Sequence, residues 1–140
     1  LYLVYDSWAG VLSESLYREF CMPYLNRIAQ EINEVPSIVF AKGAHFAMED
    51  LMKSEFNAVG LDWTMKPEDM RQLDSEKVLQ GNLDPCLLYA NDDEIVNKTN
   101  EMLNSFSGGA HIANLGHGVY PDTEWQKVKL FIDTIKNSSN

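Results

Sequence analysis

Five short segments put polar or ionisable groups just after apolar runs: Asp6-Ser7-Trp8, Lys42-Gly43, Asp62-Trp63-Thr64, Asn82-Leu83-Asp84 and Gly116-His117-Gly118. If the runs are parallel strands, these segments gather on one rim, because α/β folds bind ligands beyond the carboxyl ends of their strands. Packing alone does not call for five polar strand ends. His117 is the leading candidate. Its ordinary pKa near 6.5 suits proton transfer or anion binding. Glycines on both sides would let the backbone take a positive φ and come close to a ligand. A loop histidine bonded to a carbonyl fits the same spacing. The Ser7 hydroxyl can donate to a carboxylate or cap a turn. Asp6, Asp62 and Asp84 can act as bases, yet each also suits a turn or a helix cap. Lys42 can neutralise an anionic ligand or pair with a rim carboxylate. His45 falls in the first turn of a helix and His111 just before an apolar strand, so both read as structural.

Other chemistries find no support. There is no dinucleotide or phosphate glycine loop, no nucleophile elbow, no HExxH and no CxxC, so no metal site is expected. Cys21 and Cys86 make no disulfide framework. Cys86 follows Asp84-Pro85 at a helix start, where a thiol pKa can fall, but a small buried thiol is the favoured reading. The net charge of −10, from 11 Lys and Arg against 21 Asp and Glu, argues against nucleic acid or an anionic membrane as partner. No apolar run of about 18 residues is present.

The rim residues require strands to carry them. Leu1–Tyr5, Ser37–Ala41, Ala58–Trp63, Lys77–Gln80 and Ile112–Leu115 read as strands. Between them lie helical stretches. The first starts at Ser13 and carries Leu16, Phe20, Tyr24, Ile28 and Ile32 at i+4 spacing, with Pro23 expected to kink or split it. His45–Lys53 is a short helix with Phe46 and Leu51 inward. Pro67 fits the first turn of the next, which carries Met70 and Leu73. Asn91 caps the clearest helix, with Glu94 three residues on and Ile95, Thr99, Met102, Leu103 and Phe106 as its inner stripe. The last is capped near Asp122 or Thr123 and buries Val128, Phe131, Ile132 and Ile135, followed by a polar, fraying tail over residues 137–140.

Five βα units in 140 residues make an α/β protein with a parallel sheet covered by helices. Two architectures compete at this point: a complete flavodoxin-like domain, and five consecutive units of a (β/α)8 TIM barrel. Hydrophobic periodicity does not separate them.

Three strings bring in a family. Tyr5-Asp6-Ser7-Trp8-Ala9-Gly10 resembles the FDSWAG segment of the uroporphyrinogen decarboxylases. Gly81-Asn82-Leu83-Asp84-Pro85-Cys86-Leu87-Leu88-Tyr89-Ala90 is similar to their GNLDPCxLYA segment, and Asn114-Leu115-Gly116-His117-Gly118-Val119-Tyr120-Pro121-Asp122 to NLGHGxYPD. Phe40-Ala41-Lys42 and Gly60-Leu61-Asp62-Trp63-Thr64 fall between them in the family's order. The likeness runs from Leu1 to about Ser138.

The resemblance implies that residues 1–140 are the C-terminal part of a single TIM-barrel decarboxylase domain, its last five βα units. The chain also opens within a strand and without Met, as a segment of a longer protein would. At 28 residues per unit, which is 140 over five, eight units make about 224 residues, near the lower range for this barrel. The implied activity is that of a carboxy-lyase: cofactor-free decarboxylation of the four acetate side chains of uroporphyrinogen III to give coproporphyrinogen III, by a cytoplasmic homodimer. Ser7 and His117 fall on the family's substrate-contacting serine and histidine. Tyr5 stands at a cleft position where many members have Phe. The family's macrocycle-facing aspartate, an active-site tyrosine and its arginine-rich motif match nothing here, so no catalytic residue is assigned and the isolated segment is expected to be inactive. Two alternatives remain: a non-catalytic half-barrel that binds a partner through adhesive open sheet edges, and a related cobamide-linked methyltransferase with a rim zinc.

Overall fold

The computed structural model describes residues 1–138. Five strands form one parallel sheet: β1 (Tyr2–Asp6), β2 (Ser37–Ala41), β3 (Ala58–Gly60), β4 (Val78–Leu83) and β5 (His111–Leu115). Their spatial order is β1-β2-β3-β4-β5, so each strand's neighbour in the chain is also its neighbour in the sheet. The connecting helices are α1 (Glu14–Phe20), α2 (Met22–Glu31), α3 (Met48–Lys53), α4 (Pro67–Leu73), α5 (Asp92–Ser105) and α6 (Trp125–Ser138).

The helices pack against a single face. Tyr17, Leu25, Leu51, Ile95, Met102 and Phe131 form one core with Val39, Ala41, Val59, Leu79 and Leu83 of the sheet. Ile38, Phe40 and Ala58, the alternate residues of the same strands, are buried but lie outside that core, on the other face. A flavodoxin-like domain needs a reversal of strand order and helices on both faces. The sheet has neither, which overturns that reading. The fold is the five-unit arc of a (β/α) barrel.

Local sequence explains most of the elements. Ser13 caps α1 by accepting from the Leu16 N–H, and Asn91 caps α5 by accepting from the Glu94 N–H. Ile95, Thr99, Met102 and Phe106 are buried on α5 as its spacing predicts. Pro23 does split the first helical stretch, with α1 ending at Phe20 and α2 starting at Met22.

Four expectations need correction. The i+4 series is not the inner face: Leu16, Phe20, Tyr24 and Ile32 are exposed, while Tyr17, Met22, Leu25 and Ala29 are buried. A strict four-residue step drifts around a 3.6-residue helix, and the break at Cys21 resets the face. β3 stops at Gly60, because Asp62 and Trp63 leave the ladder for a hydrogen-bonded turn. β4 runs on to Leu83, its last residues pairing with Asn114 and Leu115. Finally, α6 starts only at Trp125, leaves Ile132 exposed and continues to Ser138, whose hydroxyl bonds to Thr134 and Asn100; residues 139 and 140 of the expected tail lie outside the described residues.

The amino end of the sheet is latched by cations that bond carbonyls. Arg71 donates to the Lys77 carbonyl at 2.5 Å and the Ala110 carbonyl at 2.6 Å, joining the entries to β4 and β5. Lys77 donates to the carbonyls of Ser54 and Phe56. His111 stacks on Phe106 at 3.7 Å and donates from Nε2 to the Gly81 carbonyl at 2.7 Å. Burial pushes the His111 pKa below its ordinary value, against that hydrogen bond. The sign follows. Above about pH 6.5 the ring is neutral folded or unfolded. Below it, the unfolded chain takes up a proton that the folded ring resists, so stability falls as the pH drops toward the folded pKa. Thermal melting of the protein between pH 7.5 and 5 should lose stability more steeply than in His111→Gln; equal slopes would contradict this.

Candidate active site

The strand register builds a row across the face opposite the helices. Tyr5 pairs with Phe40, Phe40 with Gly60, Gly60 with Gln80 and Gln80 with Ile112. Tyr5, Phe40, Gly60 and Gln80 line an open cavity of about 350 Å³, whose rim is closed by Ser7, Asn114 and the Leu115–Gly118 segment, His117 included. Ser7, His117 and Tyr5 therefore line one cavity. Gln80 and Asn114 were not singled out from sequence. Their signal was alternation: a polar residue two positions from an apolar one on the same strand face.

His117 is held among rings. Phe40 stacks nearly parallel to it at 6.4 Å between centroids, and Trp63 lies at 5.9 Å. Lys42 Nζ sits 3.5 Å from His117 Nε2 and 5.6 Å above the Trp63 ring. Neither flanking glycine has a positive φ; among glycines only Gly43 and Gly81 do. The requirement at Gly116 is instead close approach, because a Cβ there would stand 2.3 Å from the Trp63 backbone nitrogen. This glycine lets the end of β5 press His117 against the turn after β3.

The rim aspartates have other work. Asp62 is 2 % exposed. Its Oδ2 accepts from the Gly43 N–H at 2.8 Å, and its Oδ1 from the Thr64 N–H at 2.8 Å and the Thr64 hydroxyl at 2.5 Å. It is a clamp between two loops. His45 Nε2 lies 2.8 Å from that same hydroxyl, which fits the structural reading of His45. Buried Asn82 donates to the carbonyls of Asp62 and Met65, adding the end of β4 to the clamp. Asp84 accepts from the Cys86 N–H and caps the turn Pro85–Tyr89. Asp6 lies on the helix side of β1 near buried Tyr17, whose phenol pKa is raised by burial first and by the Asp6 carboxylate second. Cys86 is exposed rather than buried, 3.9 Å from the Tyr120 hydroxyl. Among the described residues, no group of three His, Cys, Asp or Glu is placed to hold a metal ion, and no helix is long and apolar enough to cross a membrane.

An arc of βα units with polar side chains beyond its strand ends puts the chain in the (β/α)-barrel class. The sequence matches the family described as Uroporphyrinogen decarboxylase (URO-D) over residues 1–138, and the chain belongs to that family. It is 41 % identical to the uroporphyrinogen decarboxylase of Ovis aries and 40 % identical to that of Homo sapiens, in each case over 97 % of this chain and 40 % of the relative. The uroporphyrinogen decarboxylase of Dictyostelium discoideum is 46 % identical over 84 % of this chain and 34 % of its own length. The chain thus spans about 40 % of the curated relatives it matches. A methyltransferase from Methanosarcina mazei superposes with a TM-score of 0.83 over 99 % of this chain and 42 % of its own, at 18 % identity, which speaks to the fold alone.

Gly116→Ala should move the β5 end away from Trp63 and destabilise the protein by about 1–3 kcal/mol, the usual cost of overpacking. Denaturant unfolding measures the loss. An unchanged midpoint would show that the close approach is dispensable.

Proposed function

We propose that this chain is the substrate-contacting C-terminal portion, residues 1–140, of a single TIM-barrel uroporphyrinogen decarboxylase domain. Three further parts of the reading rest on the family rather than on geometry: a carboxy-lyase acting in the cytoplasm, a homodimeric assembly, and uroporphyrinogen III as substrate. The observation that carries it is the convergence of Ser7, His117 and Tyr5 on one open cavity, within a chain that matches the family over residues 1–138.

The reaction explains what such a wall is for. A carboxylate on a pyrrole-bound CH2 group loses carbon dioxide only if the breaking C–C bond has somewhere to send its electron pair. A proton added to the pyrrole ring makes that sink. The C–COO⁻ bond breaks, the pair flows into the cationic ring, and carbon dioxide leaves. The exocyclic carbon then takes a proton and the ring gives one up, so one proton is consumed for each acetate turned to methyl. The protein must hold the carboxylates, stabilise the cation and exclude competing water. Ser7 and His117 supply hydrogen-bond donors to carboxylates, and Phe40 and Tyr5 an apolar wall for the macrocycle. The helix-free face and the open edges of β1 and β5 are the surfaces that the remaining barrel units would cover.

Hydrogen bonds to charged groups contribute about 1.5–3 kcal/mol. Ser7→Ala and His117→Ala in the full-length protein should therefore each lower kcat/KM for uroporphyrinogen III by roughly tenfold to a hundredfold. Wild-type values in both variants would remove these residues from the site. The 140-residue segment alone should show no turnover and should associate through its open edges in gel filtration. Turnover that is lost with His117→Ala would contradict the need for further barrel units. A soluble monomer with cooperative unfolding would favour an independent binding module.

A further inference from the structure

Three cations, Lys42, Lys66 and Lys136, make no side-chain ion pair or carbonyl hydrogen bond among the described residues, and of these Lys42 is the one whose ammonium meets a ring of the candidate site. Arg18, Arg27, Lys53, Lys98, Lys127 and Lys129 pair with carboxylates, and Arg71 and Lys77 bond backbone carbonyls. Lys42 has no carboxylate within ion-pair distance among the described residues, although it sits at the rim with its stem half-buried. Its backbone is fixed on both sides, with its N–H donating to the Asp6 carbonyl at 3.0 Å and its carbonyl accepting from the Gly10 N–H at 2.9 Å. The next residue, Gly43, is held by buried Asp62. Trp63 lies under the ammonium and beside the His117 ring. All of this aims a cation at one atom, His117 Nε2, 3.5 Å away.

An ammonium has donors and no lone pair, so the ring nitrogen it faces must be the acceptor. We propose that Lys42 is a positioning residue for His117: it fixes the imidazole as the neutral Nδ1–H tautomer, so that the ring meets its ligand only as a hydrogen-bond donor. The ring's single lone pair is engaged by Lys42, so His117 binds a substrate carboxylate and does not take up a proton during the reaction. The tautomer assignment stands on geometry alone, while the identity of the carboxylate ligand rests on the decarboxylase reading above.

The test uses the full-length protein with 15N-labelled histidine, at pH 8, where a histidine of ordinary pKa is neutral. His117→Gln assigns the signals by their loss. Free neutral histidine favours the Nε2–H form, so the expected wild-type signature, a protonated Nδ1 and an unprotonated Nε2, is distinctive. Lys42→Met keeps most of the stem and removes the charge; it should shift the ring toward Nε2–H and lower kcat/KM about tenfold, mainly through KM, since the lost interaction is with bound carboxylate. Lys42→Arg restores a donor and should recover much of both. A wild-type ring in the Nε2–H form, or a tautomer indifferent to Lys42→Met, would overturn the proposal. The expected tautomer in a protein that does not turn over uroporphyrinogen would support the role of Lys42 and refute the substrate reading instead.

Discussion

The rim depends on one buried carboxylate. Asp62 leaves the ladder at the end of β3 and accepts hydrogen bonds from Gly43 and Thr64, while Asn82 of β4 bonds its carbonyl. Three strand ends are tied at a single residue. A buried carboxylate is costly unless its oxygens are fully bonded, so the donors must stay in place, and with them the loops that carry Lys42 and Trp63. His117 arrives from β5 onto that platform, and it fits only because Gly116 has no side chain to strike Trp63. The site is therefore rigid for reasons one layer removed from the groups that would touch a ligand.

Consecutive strand order has a second consequence. With all the helices on one face, the other face can carry a pocket and both sheet edges are open to neighbours. The cation distribution divides along the same lines. At the amino end Arg71 and Lys77 are spent on carbonyls, as befits the stability end of a barrel. At the carboxyl end Lys42 has no carboxylate within ion-pair distance among the described residues. The net charge of −10 would suggest a poor host for an anionic ligand, but what a ligand meets is this local arrangement.

Much of this was legible in the sequence. Asn91 and Glu94, Pro67, and the α5 stripe obey local rules, and the structure follows them. The polar strand ends Ser7 and His117 fall on the rim of the cavity, and the resemblance alone drew attention to Tyr5, which lines it beside them. What resisted was non-local. Nothing within the segment from Gly116 to Gly118 says that the first glycine answers to a tryptophan more than fifty residues earlier. Asp62 offers the same composition whether it is a base or a clamp; only its three donors decide. The face of the first helical stretch turned on a break at Cys21, which an i+4 count runs straight through. Strand order, the feature that separates an arc of a barrel from a flavodoxin-like sheet, is a property of pairing and leaves no trace in hydrophobic periodicity.

On the proposed function, the row from Tyr5 to Gln80, rimmed by Ser7 and His117, is a wall of a tetrapyrrole site. The most direct measurement is a crystal structure of the full-length protein with coproporphyrinogen III bound under anaerobic conditions. The macrocycle should lie against Phe40 and Tyr5, with a propionate oxygen within hydrogen-bond distance of the Ser7 hydroxyl or the His117 ring. A macrocycle bound elsewhere in the barrel, with this cavity filled only by solvent, would contradict it.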